Sequence, residues 1–182
     1  MKSDEFELSL RLPMRGAWIS DGLQEHGIAN VVVARRGSGG KVLFANFLVD
    51  THCLGIKDLI LDCVKETHFQ AMLAHVGEQL GVQSIPPAHA AKLLKGAVSY
   101  AESIGFPPTA TALKGLRLLH DVDPATCPLS YTFGREGMPT YESGPSESME
   151  RRLEIVATLT RTCGPGKFRV VVNMGPGGPD GQ

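Results

Sequence analysis

The sequence predicts an α+β domain with a mainly antiparallel sheet, built from two hairpins plus terminal strands and packed against three or four helices. Three observations carry this. Strand-forming runs come in local pairs separated by Gly-rich turns. Helix-period runs come in a block between those pairs and once more near the C-terminus. No alternation of strand and helix of the βαβ kind is present, and no internal repeat is visible.

In order along the chain, residues 5–12 (EFELSLRL) alternate apolar and polar side chains. Phe6, Leu8, Leu10 and Leu12 would share one side of a half-buried strand that Pro13 ends. The next stretch holds the only tryptophan, Trp18, and a short helix capped by Ser20 or Asp21 and stopped by Gly27. Residues 28–35 and 41–50 are two strands joined by Arg36-Gly37-Ser38-Gly39-Gly40, a hairpin tip. The GSGGK run there resembles part of a phosphate-binding loop. Val42 stands where that motif needs Ser or Thr, and the loop opens a strand, not a helix. A helix is expected over 58–75, with Gly77 and Gly81 weakening its end and Pro86-Pro87 breaking the chain. Helices over 88–104 and 110–119 follow. Residues 129–133 and 139–142 are read as a second hairpin around Gly134-Arg135-Glu136-Gly137. A helix over 148–161, capped by Ser146 or Ser148, and a last strand over 168–172 complete a domain spanning 1–173. The tail from Met174 is Gly/Pro-rich and is expected to be flexible.

The 182 residues are 42% hydrophobic and 20% charged, a balance that excludes a disordered chain. The formal net charge of -1 gives nucleic-acid binding no overall support, although local basic patches remain open. The four cysteines, Cys53, Cys63, Cys127 and Cys163, have no CxxC spacing, and the first ten residues lack the apolar core of a secretory signal. Reduced thiols in a cytoplasmic protein are expected. No run approaches the ~18 apolar residues of a membrane span.

Four constellations could carry chemistry. With a helix starting near Lys57, Asp58, Asp62 and Glu66 fall on one face, and Asp50 ends the preceding strand. Asp50, Asp58 and Asp62 would then hold Mg²⁺ or Mn²⁺ for phosphodiester hydrolysis. The plainer alternative is a helix N-terminus at Asp58 with a solvated acidic face. Cys53 beside His52 suggests a thiol nucleophile with a base, although a buried thiol is the simpler reading. Adjacent residues on a strand point apart, which speaks against zinc. Arg35, Arg36 and Lys41 flank the first hairpin tip and Arg135 the second, where they would touch phosphates or be solvated. Tyr131, Phe133, Met138 and Tyr141 cluster on the second hairpin, where exposed aromatics would suit a protein interface.

The segments FLVDTHCLGIKD (47–58), AAKLLKGAVSYAESIGFPP (90–108) and YTFGREGMPTYESGP (131–145) resemble those of an uncharacterised bacterial protein family. The resemblance spans about residues 28–172. It implies a recurring domain type and supplies neither an activity nor site residues.

The expected function is therefore binding rather than catalysis, with no cofactor, directed at another macromolecule through Arg35, Arg36, Lys41, Arg135, Tyr131 and Tyr141. The partner would be a protein or a second copy of the chain. Nucleic acid at the hairpin tips is a further option, and a membrane is not expected. The alternative is a metal-dependent phosphodiesterase or nuclease using Asp50, Asp58 and Asp62. Carboxylates more than roughly 8 Å apart, or an Asp50 engaged by backbone amides, could not share one ion.

Overall fold

A computed structural model describes residues 3–144 and 147–171. The chain is α+β, with a five-stranded antiparallel sheet packed with helices. Strands β1 (Met14–Ser20), β2 (Ile28–Arg36), β3 (Lys41–Asp50) and β4 (Gly55–Lys65) form a meander, and β5 (Val82–Ile85) adds to the free side of β1. The spatial order is β4-β3-β2-β1-β5. The helices are α1 (Ser3–Leu10), α2 (Leu23–His26), α3 (Glu66–Leu80), α4 (Pro87–Ser103), α5 (Ala110–Leu116) and α6 (Met149–Thr162). Short strands β6 (Thr140–Glu142) and β7 (Arg169–Val171) pair in parallel, apart from the main sheet.

Alternation along the central strands sends their side chains to two cores. Val31, Val33, Leu43, Ala45, Phe47 and Val49 lie under Leu93, Leu94 and Ala97 of α4, with Phe6 and Leu10 of α1. On the opposite face, Val32, Ala34, Val42 and Phe44 meet Phe69 of α3, whose ring lies edge-on to Trp18 at 5.6 Å. A third cluster joins Cys53 and Leu54 to Tyr141, Ile155 and Leu159, and so fixes α6 against the β3–β4 turn.

The helices expected over 88–104, 110–119 and 148–161 are present as α4, as α5 with a 3-10 turn Arg117–Leu119, and as α6. Ser148 caps α6 by accepting from the Arg151 amide, whereas Ser146 and the tail from Met174 lie outside the described residues. The short helix α2 lies between Gly22 and Gly27; Ser20 instead belongs to β1 and accepts from the Asn30 amide.

Three expectations require correction. Residues 5–12 are not a strand. The free side of β1 is taken by β5, which closes the place beside the next strand in the chain to them. Their apolar residues also fit a helix, which buries Phe6 and Leu10 and leaves Leu8 48% exposed. The helix expected from Asp58 starts only at Glu66, because the ten residues of β3 offer a ladder that β4 follows, with one bulge, to Lys65. Finally, residues 129–142 form no hairpin. Only a tight turn survives, with Glu136 at φ 55 and Gly137 at φ 77 and reciprocal bonds between Arg135 and Met138. Its flanks part because their aromatics enter different cores. Phe133 stacks on Tyr100 at 5.7 Å over Gly96, whereas Tyr141 is buried with α6.

Candidate functional site

The Asp50 corner is a packed turn. Asp50 Oδ1 accepts from the amides of His52 (2.9 Å) and Cys53 (3.0 Å), and Oδ2 from that of Leu54 (3.2 Å). The side chain thus replaces the strand partners that the turn loses. Burial pushes its carboxyl above the usual range, and the three amides and Lys57 oppose that shift. Around it, the Thr51 amide and hydroxyl both donate to the Gly27 carbonyl (2.8 and 2.9 Å). Gly134 donates to Thr51 O (2.9 Å) and Thr140 to His52 O (3.0 Å). At Gly55, φ is 67 and a Cβ would lie 2.8 Å from the Ala97 carbonyl, so only glycine lets the turn approach α4 this closely.

The turn also separates the His52–Cys53 pair. Cys53 is fully buried, and burial, followed by the charge of Asp50, pushes its thiol far up, the opposite of an activated nucleophile. His52 is half-buried, and burial lowers its imidazole.

The carboxylates proposed for a metal are not brought together. Asp58 lies opposite Leu48 and Asp62 opposite Phe44. Four strand steps separate the two, roughly 13 Å along the chain. Each takes the amide of the next residue at 2.7 Å. Asp50 is occupied by its three amides, and Glu66 holds Arg15 and Gln70. Among the described residues, no group of three or more His, Cys, Asp or Glu is arranged to hold a metal.

The predicted binding residues also scatter. Arg35, at 1% exposure, is a core residue. Its Nε donates to Leu118 O (2.7 Å), Nη1 donates to Leu10 O (3.1 Å) and Leu12 O (2.7 Å), and Nη2 pairs with Asp121. Tyr141 is fully buried, with its hydroxyl donating to Glu147 Oε2 (2.7 Å). Lys41 is bound to Glu5 at 2.6 Å. Tyr131 is half-buried against the core under α4, and burial raises its phenol. Arg36 and Arg135 are exposed, yet they occupy opposite ends of the sheet. Eight strand steps, roughly 27 Å, separate those ends, so the two tips share no surface.

What lies open is a different surface. The apolar contacts of α3 end at the Val32, Ala34, Val42 and Phe44 patch. Beyond it, Asn30 pairs with Leu48 and Leu48 with Asp58, and Val32 pairs with Asn46 and Asn46 with Ile60. Ile60 is 58% exposed, and Asp58 and Asp62 flank it on the same face. Asn46 and Leu48 are half-buried, and Asn46 Oδ1 is buried without a hydrogen-bond partner. Strand β4 ends the sheet order, so its outer backbone is unpaired within the sheet. The signal for this surface is the alternation D-L-I-L-D-C-V over 58–64, which also fits a helix with acids at i and i+4.

Comparisons with protein-family models, with curated proteins and with solved structures returned no match for this chain.

Proposed function

We propose that the protein acts by binding, without catalysis, and that its ligand is another protein docked on β4 and the open face beside it. The observation that carries the reading is Ile60, a large apolar side chain 58% exposed between two acids on an unpaired sheet edge. A sheet edge is a template for an added strand, and here a docking strand would take over the Leu59 and Cys63 amides from the Asp58 and Asp62 carboxylates. Asp58 and Asp62 bring negative charge to either side of the apolar centre. The matching partner is an extended segment with an apolar residue flanked by Lys or Arg.

A second copy of the chain fits less well. Antiparallel pairing of β4 with itself keeps each face on its own side. Centring on Ile60 sets Asp58 against Asp62, and centring on Leu61 sets Lys57 against Lys65. Directly opposed like charges are destabilising. Nucleic acid at the hairpin tips and a shared metal for phosphodiester hydrolysis both lack a converged set of groups. Among the described residues no helix is long and apolar enough to cross a membrane. The reading places the protein in the cytoplasm, which four thiols without a disulfide support.

The test is a displayed library of random peptides selected on the full chain. The expected consensus is an apolar residue with Lys or Arg two positions to either side, and the enriched peptides should bind Ile60→Lys at least tenfold more weakly. An unchanged melting temperature would show that this exposed substitution leaves the fold intact. Absence of enrichment, or peptides that bind Ile60→Lys as well as the parent, would refute the reading.

A further inference from the structure

Independently of the sheet face, we infer that the cleft between the start of β4 and helix α6 is a binding site for an apolar monocarboxylic acid. The cleft has a volume of about 600 Å³, within the range of small-molecule sites. It lies where the sheet body meets the cluster around α6.

Three elements build it. Along α6, Arg151, Glu154, Ile155, Thr158 and Arg161 line the cleft at three- and four-residue spacing, a single stripe roughly 15 Å long. Leu54, Ile56 and Phe106 join Ile155 to give an apolar floor. The third element is a bulge in β4. Leu48 pairs with Asp58 and Val49 with Ile56, which leaves Lys57 as an extra residue without a partner on β3. Bulges re-aim side chains next to functional sites. This one takes Lys57 out of the alternation and into the cleft wall, where Nζ donates to the Glu142 carbonyl at 3.3 Å.

The charges select the ligand class. Lys57, Arg151 and Arg161 face Glu147 and Glu154, which leaves one net positive charge. Glu147 is already engaged by the Tyr141 hydroxyl and the Gly144 amide (2.9 Å). Burial raises its carboxyl, but the amide, the hydroxyl and Lys57 outweigh that and hold it below the usual range, so it stays ionised. Glu154 pairs with Arg151 at 3.1 Å. Among the described residues, no carboxylate lies within 4.0 Å of Lys57 or Arg161. The single net positive charge therefore matches a monoanion, whereas a dianion would exceed it. Lys57 is half-buried beside Ile56 and Leu54 and is less screened than exposed Arg161, so the carboxylate belongs at the Lys57 end and the apolar body along Phe106 and Ile155.

Calorimetric titration of the full chain with octanoate, octanol and octyl phosphate tests the inference. Octanoate is expected to bind at one site, at least tenfold tighter than the other two. Lys57→Met should weaken octanoate at least tenfold. Arg151→Met, at an exposed position, should weaken it at least threefold without a change in melting temperature. Arg11→Met, which lies outside the cleft, should leave it unchanged. No saturable octanoate binding, equal or tighter binding of octyl phosphate, or full octanoate affinity in both cleft variants would overturn the assignment.

Discussion

Asp50→Ala removes the acceptor for three amides at once. Those of Cys53 and Leu54 belong to buried residues, whereas His52 is half-buried and its amide can turn to water. A buried donor left unsatisfied costs about 1–3 kcal/mol, so the two buried amides give about 2–6 kcal/mol. Release of a carboxylate whose ionised form burial disfavours offsets part of that, which sets the expected loss at about 3 kcal/mol. Against a total stability of about 5–15 kcal/mol, the change is large. Asp50→Asn separates the contributions. It can keep Oδ1 for His52 and Cys53 but points an NH₂ at the Leu54 amide, one lost bond, at a cost of about 1–2 kcal/mol. The assay is urea unfolding, with the midpoint shifting and the slope unchanged. An alanine variant within ~0.5 kcal/mol of the parent, or an asparagine variant as damaging as alanine, would refute the capping argument.

Arg35→Met strands the carbonyls of Leu10, Leu12 and Leu118, and urea unfolding should show a loss of about 3–5 kcal/mol; a variant as stable as the parent would contradict the core role. Mass-resolved alkylation near neutral pH should label half-buried Cys63 and Cys163 first and buried Cys53 and Cys127 only as the protein unfolds; rapid native labelling of Cys53 would contradict its buried, raised thiol. Because burial depresses the folded imidazole of His52, the unfolded chain takes up a proton below about pH 6.5 that the folded chain refuses until its lower value is reached. Stability should fall as pH drops through that window and level off beneath it. Urea midpoints for His52→Gln across the same range should lack this component, and identical pH profiles would count against it.

Helices α4 and α6 were legible because their apolar spacing fits only one period and their ends carry a Gly or Ser signal. Residues 5–12 and 58–65 were not. In EFELSLRL the apolar residues fit both a strand and a helix, and in DLILDCVK the acids four apart fit both as well. The choice was made by available partners: β5 occupies the position that a first strand would have needed, and β3 offers a ladder to β4. The Gly134–Gly137 turn was visible locally, but the destinations of Phe133 and Tyr141 were set by distant cores. Asp50 stood out in the sequence only as a strand end and a candidate metal ligand, because its capping role depends on amides that converge only once the turn has closed. The exposure of Ile60 and the extra position of Lys57 are properties of register, and register is a relation between strands.

Arg35 has a consequence for the order of events in folding. Its acceptors at Leu12 and Leu10 lie 23 and 25 residues away in the chain, but those at Leu118 and Asp121 lie 83 and 86 away. The β2–β3 hairpin closes over a short loop and can form early. Its guanidinium must then remain hydrated at the end of the nascent hairpin until the chain beyond α5 returns. On this sequence separation, Leu118 and Asp121 are expected to close as a late latch, after the rate-limiting step. Weakening the latch should quicken unfolding while leaving the folding rate nearly unchanged. On the ribosome the hairpin would be complete while the segment that seals it was still being made.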